Sequence, residues 1–85
     1  MNFGEALQAT YDGKKIQRSG WNGKGMYLYH VPAQSYPAVT EIAKSEFGEM
    51  VPYGAYTVMK IAQNNVVPWL ASQTDIHATD WQIVD

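Results

Sequence analysis

The chain has 85 residues, a net charge of −2 and no cysteine, with three Trp and six Tyr among its aromatics. A single small domain with a limited core is all that this length supports, and the absence of cysteine excludes disulfide or thiolate-metal reinforcement. Six basic residues spread along an acidic chain do not make the basic face that tracks a nucleic-acid backbone, so DNA and RNA are not expected as partners.

The longest apolar run is about six residues against the roughly 20 of a membrane span, so no membrane partner is expected. The opening Met1-Asn2-Phe3-Gly4-Glu5 has no basic n-region, which predicts an intracellular protein without a signal peptide. His30 and His77 stand far apart and make structural zinc an unattractive reading. Oligomerisation is the remaining way to stabilise so small a core, and surplus Tyr and Trp suit surfaces that are dry on one side and wet on the other.

Residues 2–12 read as a helix, with Phe3, Ala6, Leu7, Thr10 and Tyr11 forming one stripe. Asn2 is placed to cap it, Glu5 to complete a capping box, and Gly13 to end it in the left-handed conformation. Residues 14–19 and 26–31 predict two strands of an antiparallel hairpin. Between them lies the turn Gly20-Trp21-Asn22-Gly23-Lys24-Gly25. Three prolines punctuate residues 32–52, and Val39, Ile42, Ala43 and Phe47 predict a helix over 37–47 that Ser35 or Thr40 caps and Gly48 stops.

A strand over 55–62 follows, then an Asn64-Asn65 turn and a returning strand over 66–69. Pro68 confines that strand to a sheet edge, or ends its pairing there. Ser72 and Asp75 have the spacing of a second capping box before a short helical turn to about residue 78, and residues 81–84 form a last strand. The order predicts an α+β domain: a small antiparallel sheet, with an N-terminal helix and one or two further short helices on one face.

Two stretches carry candidate chemistry. The glycine turn offers backbone N–H groups and Lys24 to a phosphate and Trp21 to a base, but it matches neither Gly-x-Gly-x-x-Gly nor a Walker pattern. On pattern alone an ordinary hairpin loop is the better reading. In Val66 to Asp75, Trp69 offers a flat ring while Ser72, Gln73, Thr74 and Asp75 offer hydrogen-bonding groups at a helix start that favours an anion. A buried Trp beside a capping box explains Ser72 and Asp75 equally well but does not require Gln73 and Thr74, so the two readings stand level. No catalytic pair, Ser-His-Asp arrangement or metal-ligand cluster is evident, and no cofactor is implied.

Three motifs carry a resemblance: Met1-Asn2-Phe3-Gly4-Glu5-Ala6-Leu7, Arg18-Ser19-Gly20-Trp21-Asn22-Gly23-Lys24-Gly25-Met26, and Val67-Pro68-Trp69-Leu70-Ala71-Ser72-Gln73-Thr74-Asp75 with Asp80-Trp81 beyond it. Together they resemble the second Thoeris anti-defence family of small phage and prophage proteins, once a domain of unknown function. The resemblance covers roughly two thirds of the chain; residues 32–52 show none.

It implies a non-enzymatic sponge in the cytoplasm of the bacterial host. Such a sponge sequesters a cyclic ADP-ribose isomer made by TIR-domain immune enzymes and keeps the Thoeris effector inactive. Some members are thought to hold cyclic dinucleotides, the signals of CBASS immunity, at a separate site. It also implies homo-oligomers, commonly tetramers, with ligand pockets between protomers. Carried onto this sequence, Trp21, Trp69 and Phe3 become stacking surfaces. Ser72, Gln73, Thr74 and Asp75 become partners for ribose hydroxyls, and Arg18, Asn22, Lys24 and the glycine turn face phosphate. The alternatives are a hydrolase of such nucleotides, for which only Asp75, His77 and Asp80 offer themselves, and a protein-interaction or virion component with no small ligand.

Overall fold

The computed structural model describes residues 1–21 and 24–85. Among them the chain runs α1 (Phe3–Tyr11), β1 (Lys15–Arg18), β2 (Tyr27–Val31), β3 (Gln34–Pro37), α2 (Glu41–Phe47), β4 (Met50–Tyr53), β5 (Tyr56–Lys60), β6 (Val66–Pro68), α3 (Gln73–His77) and β7 (Trp81–Val84). The main sheet has the order β6-β5-β2-β1-β7, and every pairing in it is antiparallel. The fold is therefore the expected α+β arrangement, and Pro68 lies on an edge strand.

Local chemistry explains most element ends. Asn2 accepts from the backbone N–H of Glu5 while the Glu5 carboxylate accepts from that of Asn2, at 2.8 and 2.9 Å. Ser72 and Asp75 repeat this reciprocal box at α3. Asn64 takes φ 69° in the turn between β5 and β6, a conformation Asn tolerates better than most residues.

Alternation along the strands gives the sheet two faces. Ile16, Leu28 and Met59 are cross-strand neighbours on one face, and α1 lies across it. Ala6, Ile16, Leu28 and Trp81 form the buried core there, with Phe3, Trp21, Met59 and Trp69 packed around it. Of the predicted stripe on α1, Ala6 and Thr10 are buried, Phe3 and Leu7 half-buried, and Tyr11 exposed with its ring edge-on to His30, 5.0 Å between centroids.

The centre of the chain differs from expectation. The helix predicted over 37–47 is shorter, because residues 34–37 are a strand paired with residues 50–53. This two-stranded unit continues the β2–β5 hairpin: Val31 pairs with Tyr56 on the last rung of the main sheet, and Gln34 with Tyr53 on the first rung beyond it. Thr40, not Ser35, caps α2, and Gly48 ends it. The expected apolar face is not buried: Val39 is 84% exposed and Ile42 83%. Residues 32–55 thus form an arm, and the molecule measures 43 × 26 × 25 Å.

Candidate functional site

The N-terminal motif, the end of β1 and the segment 69–81 converge at one corner of the helix-bearing face. Trp81 is its hub, 2% exposed. The rings of Phe3 and Trp21 lie 5.3 and 5.4 Å from it and that of Trp69 6.1 Å, with both Trp–Trp contacts edge-on. Phe3 and Trp69 also touch, at 6.0 Å. Edge-to-face packing of this kind adds about 0.5–1.5 kcal/mol per pair beyond area burial. The indole N–H of Trp81 donates to the backbone carbonyl of Asp75 at 2.9 Å, which ties the hub to α3. Phe3, Trp21 and Trp69 are each half-buried, so part of each ring remains open to solvent.

Polar groups surround this cluster. Arg18 donates through Nε to Asp80 Oδ1 at 2.8 Å and through Nη1 to Asp75 Oδ1 at 3.0 Å, so one guanidinium joins β1, α3 and the approach to β7. The hydrogen bonds to Asp80 and then Asp75 raise the Arg18 pKa further above its ordinary value. For Asp75, burial alone would raise the carboxyl, but bonds from Ser72 and Arg18 outweigh it and hold the group below the usual carboxylate value. Asp80 is lowered too, first by Arg18, against desolvation, and by the backbone N–H of Gly20.

That N–H reaches Asp80 Oδ2 at 3.0 Å, and a Cβ on Gly20 would stand 3.1 Å from the same oxygen. A larger residue here would require the Asp80 carboxylate to shift by a few tenths of an ångström. The glycine turn is thereby anchored at its first residue, immediately before Trp21, whose N–H donates to Arg18 O at 3.2 Å.

The structure thus brings together Phe3, Arg18, Trp21, Trp69, Ser72 and Asp75, with Gln73 and Thr74 exposed on α3 beside them. Lys24 is exposed in the turn leading into β2. Asn22 lies outside the described residues, as does Gly23. The side chains of Ser72 and Asp75 are occupied by the capping box and Arg18, whereas those of Gln73 and Thr74 make no hydrogen bond among the described residues. The box engages the N–H groups of Ser72 and Asp75 and places the Asp75 carboxylate at the helix start, so this five-residue helix offers an anion less than the sequence suggested.

Sequence reading missed the role of two members of the corner: Asp80, offered only as a hydrolase candidate, fixes Arg18 and Gly20, and Trp81, not among the candidates, fixes the aromatics. The Asp80-Trp81 dipeptide within the resemblance was the available signal. A cavity of about 410 Å³ lies elsewhere, in the arm, lined by Ala38, Lys44, Gly48 and Glu49, and none of the described corner residues borders it. Among the described residues it is the corner's chemistry that marks it: half-buried rings beside polar side chains. Among the described residues no group of three or more His, Asp or Glu is arranged to hold a metal, and no helix is long and apolar enough to cross a membrane.

The corner is assembled from the segments that carry the resemblance, and the full chain bears that resemblance out. Residues 1–84 match the model of the Thoeris anti-defense 2-like domain, and the chain belongs to that family. It is similar to Thoeris anti-defense 2 of Bacillus phage SP01, with 40% identity over 87 residues, 99% of this chain and 94% of the relative. The match runs through residues 32–52 as well, where sequence reading alone found none. Family membership carries an anti-defence role.

Proposed function

We propose that the protein is a sponge that binds and holds, without cleaving, a cyclic ADP-ribose isomer made by TIR-domain immune enzymes. The observation that carries the reading is the Trp81 corner of a Thoeris anti-defence chain, where half-buried Phe3, Trp21 and Trp69 stand beside unengaged Gln73 and Thr74. A cyclic ADP-ribose has an adenine to stack, two riboses to hydrogen-bond and a pyrophosphate to neutralise. Trp21 and Trp69 supply stacking, worth about 1–3 kcal/mol per base. Gln73 and Thr74 supply hydroxyl partners.

Arg18 is shared between two carboxylates, so Lys24 and the N–H groups of the glycine turn carry more of the phosphate contact than Arg18 does. Ser72 and Asp75 shape the site through the capping box. The rings of Phe3, Trp21 and Trp69 are only half-buried in one chain, which favours a pocket completed by a second copy within a homo-oligomer, a tetramer being the expected form. Submicromolar holding corresponds to more than about 8 kcal/mol of binding free energy. Cyclic dinucleotides are a further class for the same panel of ligands.

The chemistry of the carboxylates favours holding over hydrolysis. A general acid or base works best with a pKa near the operating pH. Asp75 and Asp80 both sit below the usual carboxylate value and are committed to Arg18. The test is to mix excess protein with cyclic ADP-ribose isomers, remove free ligand, heat-denature and analyse the supernatant by mass spectrometry. Intact nucleotide is expected, with calorimetric binding lost in Trp21→Ala or Trp69→Ala variants that still fold. Recovery of linear or hydrolysed product would show an enzyme instead. No heat of binding with any ligand of the panel would favour a protein-interaction role.

A further inference from the structure

The two ends of the glycine turn are held by side chains that the turn itself does not supply. At its start, three consecutive residues are fixed to Asp80. Arg18 Nε donates to Asp80 Oδ1 at 2.8 Å, the Ser19 N–H to the Asp80 backbone carbonyl at 3.0 Å, and the Gly20 N–H to Oδ2 at 3.0 Å. The Ser19 hydroxyl donates to the same Oδ2 at 3.4 Å. Trp21 follows directly, and its own N–H closes back on Arg18 O.

At the other end, Lys60 Nζ donates to Gly25 O at 3.1 Å. This clamp comes from behind the sheet. Lys60 pairs with Tyr27 and follows Met59, which faces α1, so alternation turns the lysine away from the helix-bearing face. Lys24 immediately precedes the held residue and is exposed. Both glycines stand against their clamps. A Cβ on Gly20 would lie 3.1 Å from Asp80 Oδ2, and one on Gly25 3.2 Å from Lys60 Nζ, with Gly25 at φ 72° as well. Glycine at these two positions thus admits the anchoring groups, besides any room it leaves for a phosphate.

We infer that Asp80 and Lys60 are positioning residues: they clamp the two ends of the turn and so set Trp21 and Lys24, the stacking ring and the phosphate-facing ammonium, in place before ligand arrives. A carboxylate only accepts and an ammonium only donates, so one clamp takes an N–H and the other a C=O. Each bond has one charged partner, the kind about twice as strong as a neutral pair. Neither clamp has to touch ligand, since Asp80 is committed to Arg18 and the turn while Lys60 stands behind the sheet. Their effect is preorganisation: a turn already ordered loses less freedom on binding.

The inference rests on the reading of this turn as ligand-bearing, so its first measurement is made without ligand. Backbone order parameters from nuclear magnetic relaxation compare wild type with Asp80→Asn, Lys60→Met and, as control, Lys15→Met, each checked for wild-type circular dichroism. Lys15 flanks the same Tyr27 ring, at 4.9 Å from its centroid against 5.8 Å for Lys60. Its replacement removes the same charge from the same face, but among the described residues it makes no bond to the turn. In wild type and Lys15→Met, Trp21 and Lys24 are expected near the roughly 0.85 of rigid backbone, and in each clamp variant the residue beside the lost bond should fall towards about 0.6.

Calorimetry with the cyclic ADP-ribose isomers then reads affinity. Each clamp variant is expected to bind about tenfold more weakly, the scale of one charge-assisted hydrogen bond, and Lys15→Met to bind like wild type. Should Asp80→Asn misfold, because Asp80 also holds Arg18, Lys60→Met carries the test alone. Unchanged order parameters in Lys60→Met, or Trp21 and Lys24 already mobile in wild type, overturn the clamp. A loosened turn with undiminished affinity, or equal loss in Lys15→Met, overturns the positioning role and leaves the sponge standing. A wild type that binds none of the isomers overturns the sponge, and the relaxation data still decide the clamp on their own.

Discussion

Replacing Trp81 with Phe tests whether one buried side chain governs both the stability of the fold and the shape of the corner. The indole N–H bond to Asp75 O disappears, a loss of about 1 kcal/mol. The carbonyl is not wholly orphaned, because the Ala78 N–H also reaches it at 3.4 Å. Shortening the ring system removes about 40 Å³, which at about 24 cal/mol per Å³ of residual cavity is about 1 kcal/mol. Weakened edge contacts to Trp21 and Trp69 add a fraction of the roughly 0.5–1.5 kcal/mol each such pair contributes.

The expected total is about 2–3 kcal/mol, against the roughly 4–13 kcal/mol that a chain of this length holds in all. At about 4–8 °C per kcal/mol for a domain of this size, the melting temperature should fall by roughly 10–20 °C. Thermal and urea unfolding at matched protein concentration measure this, since any assembly makes the midpoint concentration-dependent. A second readout is ligand affinity. Trp81→Phe should weaken it, whereas Val58→Ala, a buried change on the opposite sheet face, should lower stability comparably and spare binding. A drop below about 4 °C, or equal loss of binding in both variants, would refute the hub.

Acid should loosen the corner in a way that depends on Arg18. The folded pKa values of Asp75 and Asp80 lie below the ordinary 3.8, so their contribution is fully present above about pH 4 and is lost as pH falls through the folded values. Arg18→Met should flatten the dependence of melting temperature on pH below 4; an unchanged slope would assign the acid sensitivity to other carboxylates. Gly48→Ala should destabilise the arm by about 1–3 kcal/mol through backbone strain alone, because φ 84° and ψ −145° favour glycine while no atom lies within 4 Å of the added Cβ to clash with it. Amide exchange in α2 and β4 reads this directly, and an unaltered exchange rate would show that the strain is relieved elsewhere.

What could be read from the sequence was local. Asn2 with Glu5 and Ser72 with Asp75 declare helix starts within four residues, Asn64 declares its turn, and Pro68 declares an edge. Each is fixed by chemistry that neighbours in the chain supply. Failures came where partners are distant or where context overrides pattern.

Residues 34–37 carry no strand signal of their own, with Pro37 among them, and are strand only because 50–53 lie opposite. Val39, Ile42 and Phe47 have helical spacing and so predict a buried face, but nothing in the same chain covers them. In the corner, the aromatic and hydrogen-bonding residue types were legible as candidates. The Arg18 link to residues 57 and 62 positions away was not, and it decides which polar groups remain free.

That link, together with the pairing of Lys15 with Val84, has a consequence for synthesis. The β2–β5 and β3–β4 pairs join segments close in sequence and can close on a partly made chain. The corner needs Phe3, Arg18 and Trp81 at once. At about 5–20 residues per second, the early helix and first strand wait several seconds on the ribosome before β7 emerges. During that interval the half-made protein presents Phe3 and Trp21 without their hub, and only with the last strand is the corner complete.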